Sequence, residues 1–398
     1  MRLLKFLGVF LTVATLLIGS IFYLNRDAFV SVFENRSALA EGSEWVEKTY
    51  SLSGLVEYMG QHPQYVSVVS YDINDPEKGI YYQAHKERVM GSSVNIFILI
   101  EYARQVSEGT LNPDQLVSLD DLNQYHLPDI DDNRHREAIR SLKDNNLVTA
   151  DEQIKISDVV STMVQKNDLA SADFLYYFLG PDKINNTTAD IGDNRIEAPL
   201  PYSGLHISFN PPFNNQTPNE RHDELLTLSK DDLLEEVSSS ALAYQNDEAF
   251  RSQVIEHFEN DGLGLSFMDE RLMYDIFPKG EPEALTAILE KIVRGDLFSE
   301  EASSIIRDHL SWPMSASTVT RDFDFYGALY DNRISLLNGL DMGTSTYTKN
   351  QHVQAVFFEK LPIGFWMHMS SNFMSQDYQK RLIYDPALYE VSKATLTP

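Results

Sequence analysis

The chain contains no cysteine in its 398 residues. That removes thiolate catalysis, disulfides and cysteine metal sites together, and is compatible with an oxidising compartment. Cations are scarce: 32 Lys and Arg stand against 59 Asp and Glu, for a formal net charge of -27. Nucleic-acid binding needs a basic footprint, so no nucleic-acid partner is expected; the charge speaks for solubility rather than for a substrate. The patterns H-E-x-x-H and G-x-S-x-G and the P-loop are also missing, which leaves zinc-hydrolase, α/β-hydrolase and NTPase chemistry without support. No metal and no cofactor is expected.

Only one long apolar run occurs. Arg2 and Lys5 precede an uncharged, mostly apolar stretch from Phe6 to Leu24, and Asn25-Arg26-Asp27 ends it. The run is long enough to cross a bilayer, and the basic residues before it favour a cytoplasmic N-terminus. A cleaved signal peptide is the rival reading, but the tidy site Ala38-Leu39-Ala40 lies well beyond the run. The expectation is therefore residues 1–5 cytoplasmic, 6–24 an inner-membrane anchor, 25–47 a polar tether, and the body of the chain in the periplasm, or exported if the segment is cleaved.

Further along, Tyr65 to Tyr71, the turn around Asn74 to Gly79 and the strand Ile80-Tyr81-Tyr82 read as a hairpin. A buried helix follows from Ser92 and stops near Glu108-Gly109. Ile156 to Met163 and Leu169 to Leu179 are helical, residues 198–220 form a proline-rich loop, and residues 221 to about 279 are mostly helical and acidic. Glu283 to Val293 and Ser299 to Leu310 are amphipathic helices, with Ser299 a good N-cap. Val353 to Phe358 and Ile363 to Ser370 read as a second hairpin, and Asp377 to Lys393 as a final helix. Sheet pieces at both ends with helices between them predict an α+β fold.

Ser92-Ser93-Val94-Asn95 carries the chemistry. A small-residue approach, Val89-Met90-Gly91, leads into Ser92, and the apolar run Ile96 to Ile100 follows. The stretch resembles the S-x-x-K motif of the penicillin-recognising serine hydrolases, the class A β-lactamases and their penicillin-binding relatives. In that family the serine attacks a carbonyl, and the lysine one turn on helps to take its proton. Here Asn95 stands at the lysine position, and an amide cannot act as a base. The resemblance covers residues 50 to 395. It implies an antiparallel sheet subdomain (about 48–90 and 311–395) and a helical subdomain (about 91–310), together 48–395, with an insertion near 215–279.

The resemblance places the S-D-N motif at Asn167-Asp168-Leu169 and the K-T-G motif at Asp341-Met342-Gly343. Asp168 keeps the aspartate, Asn167 replaces the serine, and Leu169 has no polar group. Asp341 replaces the lysine with an anion and Met342 replaces the hydroxyl; Thr344 and Ser345 offer hydroxyls for substrate binding. The deacylating glutamate of class A enzymes is expected near Tyr202, where the nearest acid is Glu197. Among bland readings, Ser92 is a helix-capping serine and Lys166 an exposed helix-end lysine. His85, His206 and His352 have no spacing that names a role. Two functions follow. The first is a pseudoenzyme that binds a cell-envelope peptide, glycan, β-lactam-like ligand or envelope protein. The second is an active serine hydrolase, of β-lactamase, DD-peptidase or esterase type, that forms an acyl-enzyme on Ser92.

Overall fold

A computed structural model describes residues 35–128, 130, 133–261, 264–311 and 322–397. The expected anchor at 6–24 lies outside them, as do residues 1–5 and 25–34. Among the described residues no helix is long and apolar enough to cross a membrane.

Nine strands are described: β1 Val66–Asp72, β2 Ile80–Tyr82, β3 Arg88–Val89, β4 Leu116–Ser118, β5 Gln153–Lys155, β6 Lys279–Gly280, β7 Phe323–Arg333, β8 Leu336–Ser345 and β9 Gln351–Phe358. Five of them form one antiparallel sheet in the order β2-β1-β9-β8-β7, so the two chain ends share it. Side chains alternate across such a sheet, and here both faces are buried. Val69, Leu340, Met342, Val353 and Phe357 join a core with the helical subdomain. Val66, Val68, Leu337, Val356 and Phe358 join another with Leu55, Phe365 and Tyr378. Two-sided burial explains why β1 reads as Val-Ser-Val-Val-Ser-Tyr rather than as a clean polar–apolar alternation.

Four sequence expectations are corrected. Residues 35–47 are no tether: Trp45 packs edge-on against Tyr58 at 5.0 Å, and the Asn35 side-chain Oδ1 accepts from the Phe267 N–H at 2.9 Å. The 198–220 stretch holds a buried helix, Tyr202–Phe209. Ile363–Ser371 is a helix rather than a strand, because Ile363, Phe365 and Met369 point into the core together; the hairpin partner of β9 is β8. The last helix is two, Met374–Tyr384 and Pro386–Leu396, broken where Asp385 caps the second and Pro386 begins it. The helices Ile156–Lys166, Leu169–Leu179, Pro282–Arg294 and Glu300–Leu310 stand where the sequence puts them.

The 215–279 segment folds as the helices Pro218–Thr227, Lys230–Asn246, Glu248–Asp261 and Phe267–Met273. The long Lys230–Asn246 helix lies on the Tyr202–Phe209 helix so closely that a Cβ on Gly204 would stand 2.1 Å from the Val237 carbonyl oxygen.

Candidate active site

Ser92 sits in a short 3-10 turn, Gly91–Val94, that runs straight into the helix Asn95–Ser107. Gly91 has φ +55°, and a Cβ there would lie 1.9 Å from Asp331 Oδ2, so glycine lets the end of β7 close over the turn. Ser92, Ser93 and Asn95 are fully buried. The Ser92 Oγ accepts a hydrogen bond from Arg333 Nη2 at 2.7 Å. Asn95, one turn on, accepts from the Tyr202 hydroxyl at 3.0 Å, and its own Nδ2 has no partner among the described residues.

Arg333 ends β7, with only 7% of its surface exposed. Its guanidinium carbon lies 5.5 Å from the ring centre of Tyr202 and 5.9 Å from those of Tyr274 and Phe277. These are cation–π distances in a desolvated setting. Its Nε is 3.4 Å from Asp331 Oδ1, which also accepts from Asn167 Nδ2 at 3.2 Å. Burial works against the guanidinium charge, but Asp331 and the two tyrosines outweigh it and raise the pKa. Arg333 is a permanent cation and a donor only.

Tyr202 is held from behind. Its N–H donates to Asp173 at 2.6 Å, and Ser203 donates to the same carboxylate from its N–H at 2.8 Å and its Oγ at 2.6 Å. Burial pushes Asp173 up to about 7 despite these donors. Burial also raises the Tyr202 phenol well above its ordinary value; Arg333 opposes this without reversing it. The phenol beside the serine turn thus keeps its proton. The His206 ring centre lies 6.2 Å from that of Phe277, with neither ring nitrogen partnered among the described residues; burial and then Arg333 push it down to about 3.

The second-motif residues lie beside this cluster. Asn167, in a left-handed conformation with φ +52°, bonds Asp331. Asp168 is fully buried and caps the helix Leu169–Leu179 through the N–H groups of Ala170 and Ser171. His135 Nδ1 lies 3.1 Å from both of its oxygens. Burial alone would raise the Asp168 pKa, but His135 and Ser171 hold it below the ordinary carboxylate range. Its role is structural. Leu169 is core.

The third-motif expectation is corrected by the pleat. Asp341, Met342 and Gly343 are on β8, one strand in from the edge strand β7. Asp341 pairs across from Ala328, and so faces away from Asp331 and Arg333. Its carboxylate accepts from Tyr326 at 2.7 Å, Tyr330 at 3.0 Å and Gln354 at 2.8 Å, under the Met374–Tyr384 helix. Gly343 answers that helix too, since a Cβ would stand 3.2 Å from Ile383. Met342 points into the helical-side core. Thr344 and Ser345 end the strand, where the Ser345 Oγ accepts from the N–H of Tyr347 and Thr348 within the β8–β9 turn. None of the five touches Ser92.

Other candidates lie elsewhere. Glu197 accepts from the Lys279 N–H at 2.8 Å and pairs with Lys230 at 3.0 Å. Lys166 is exposed at its helix end and makes no bond to Ser92. His352 lies on β9, where burial lowers its pKa. Asn185 and Thr187 of the Asn185-Asn186-Thr187 sequon sit within the helix Pro181–Gly192, where Thr187 is buried. His85, Glu281 and Glu283 bring three possible ligand atoms within 4.8 Å of one another. Arg195 already stands 3.3 Å and 3.7 Å from the two carboxylates and compensates them.

Sequence reasoning missed Arg333, Asp331, Tyr274 and Phe277. The alternation in Phe323–Arg333 would place Asp331 and Arg333 on one face, but no local signal says that this face meets a turn 241 residues earlier.

A family model described as the β-lactamase enzyme family matches residues 52–331. Among solved structures, the β-lactamase from Sphaerobacter thermophilus DSM 20745 superposes with a TM-score of 0.50 at 12% identity, covering 83% of this chain and 97% of its own. The carbapenemase VCC-1 from Vibrio cholerae N14-02106 gives 0.47 at 9% identity, with 77% and 90% covered. Comparison with curated proteins by sequence finds no match. With the match over more than half of the chain and the α+β architecture of that fold, this protein belongs to the β-lactamase enzyme family.

Proposed function

We propose that this chain is a membrane-anchored, extracytoplasmic member of its family in which Ser92 no longer performs acyl transfer, and which binds a ligand or partner of the cell envelope. One observation carries the reading: the Ser92 Oγ is buried and accepts from a guanidinium, where a working site needs a group that takes its proton. Tyr202 cannot supply that step. A phenol with the ordinary pKa is ionised to about one part in a thousand at pH 7, and burial lowers the fraction further. Losing one essential member of a catalytic unit costs roughly 10⁴–10⁶ in rate. The apolar run Phe6 to Leu24 supports the anchor and the periplasmic placement.

Fluorescent-penicillin labelling of the full chain tests the chemistry. No label is expected; a label that disappears in Ser92→Ala would overturn the reading. Protease accessibility in intact and osmotically opened cells tests the placement, with digestion expected only once the outer barrier is breached. A second reading keeps the enzyme, because the Tyr202 hydroxyl reaches the serine turn, donating to Asn95 at 3.0 Å and lying 3.5 Å from the Gly91 carbonyl oxygen. In that case labelling would survive in the wild type and vanish in Tyr202→Phe.

A further inference from the structure

A cleft of about 530 Å³ opens beside the buried serine, between the end of the Ile156–Lys166 helix, the outer side of β7 and the turn before the Met374–Tyr384 helix. Arg134 and Lys166 stand in its wall, and neither has an ion-pair or hydrogen-bond partner among the described residues. In a chain of net charge -27, two cations in one cleft give it a local positive charge. Among the described residues of the wall the one acid, Asp331, is buried and bound to Arg333 and Asn167. Phe373 forms another part of the wall with 68% of its surface exposed, in a left-handed conformation at φ +51° that favours glycine. Asn167, across the same cleft, is left-handed as well, as asparagine at a helix C-terminus often is. Gln165, Gln376 and Asn332 add amides around it.

We propose that this cleft binds an acidic oligosaccharide, with Arg134 and Lys166 on its carboxylates and the face of a sugar ring on Phe373. The assignment rests on the binding-protein reading above and names its ligand class. The cations supply charge complementarity, the exposed aromatic face supplies an apolar platform, and the amides match hydroxyl donors and acceptors. An extended peptide added to the sheet is the less favoured occupant, because Ser311 already bridges Gly327 on the outer edge of β7.

Calorimetric titration of the full chain with tetragalacturonate, its methyl ester and tetraglutamate tests this. The acid tetrasaccharide should bind, more weakly at high salt, and its uncharged ester about tenfold less tightly; Arg134→Ala and Lys166→Ala should each weaken it about fivefold. Phe373→Ala should weaken the tetrasaccharide and leave tetraglutamate unchanged. Equal binding of the ester, tetraglutamate binding that is tighter than the sugar and indifferent to Phe373, or no heat at millimolar sugar would each overturn the proposal. Penicillin labelling at Ser92 reads separately. Labelling with sugar binding sinks the pseudoenzyme and leaves the cleft, whereas neither labelling nor sugar binding sinks the cleft alone.

Discussion

Replacing Arg333 by Met keeps most of the side-chain volume and removes the charge. The guanidinium donates to Ser92 at 2.7 Å, pairs with Asp331 at 3.4 Å and lies against three aromatic rings. A hydrogen bond to a charged group contributes about 1.5–3 kcal/mol. Each desolvated cation–π contact adds up to about 2 kcal/mol, part of which a methionine thioether recovers on the same rings. The larger effect is on Asp331, only 2% exposed, which would keep a buried carboxylate without its cation. Breaking a buried pair from one side costs about 3–5 kcal/mol. We therefore expect Arg333→Met to lower unfolding free energy by about 3–5 kcal/mol, read as a shift in the urea midpoint at unchanged slope. The double variant Asp331→Asn with Arg333→Met should recover part of that loss, since it removes the orphaned charge. A single variant within about 1 kcal/mol of wild type would refute the reasoning. So would a double variant that is simply additive.

Three further outcomes are expected. Gly91→Ala should destabilise by about 2 kcal/mol or more in chemical denaturation, combining a left-handed φ with a Cβ set against Asp331; an effect below about 0.5 kcal/mol would show that the turn yields easily. Gly204→Ala should cost about 1–3 kcal/mol by forcing the Tyr202–Phe209 helix off Val237. It should also move the near-UV signal of the buried tyrosines, which a purely local loss would leave alone. Asp341 is the pH test: burial pushes its carboxyl up to about 7. Between the unfolded value near 3.9 and the folded value, the native state holds a proton that the unfolded state has released. Its contribution to stability therefore falls as pH rises from about 4 to about 7 and is level above. Asp341→Asn should gain stability relative to wild type across that window, and a difference that stays flat from pH 4 to pH 7 would refute the assignment.

Much of the local structure was legible. The helices Pro282–Arg294 and Glu300–Leu310 announce themselves through strong amphipathic periods and, for the second, the Ser299 cap. The β1–β2 hairpin does so through its turn residues. The Ser92 turn and Asp168 were legible because their roles are local: one begins a helix, and the other caps one. What failed was long-range. Asp341-Met342-Gly343 was expected on the pocket strand through its resemblance to the K-T-G motif, yet its glycine makes room for Tyr326 and Ile383. Residues 35–47 looked like a tether because polar residues outnumber the one that matters, Trp45.

By itself the sequence determined the helical order, the buried serine helix, the amide at Asn95 and the α+β class, since each depends on spacing within a few turns of chain. It did not determine what faces Ser92. That was decided by the strand order that makes β7 the edge, by the pleat that turns Arg333 and Asp341 to opposite faces of the sheet, and by the tertiary packing that sets Tyr202 and Tyr274 beside the guanidinium. Side-chain parity in a sheet flips with a single residue of register, and register is set by tertiary packing.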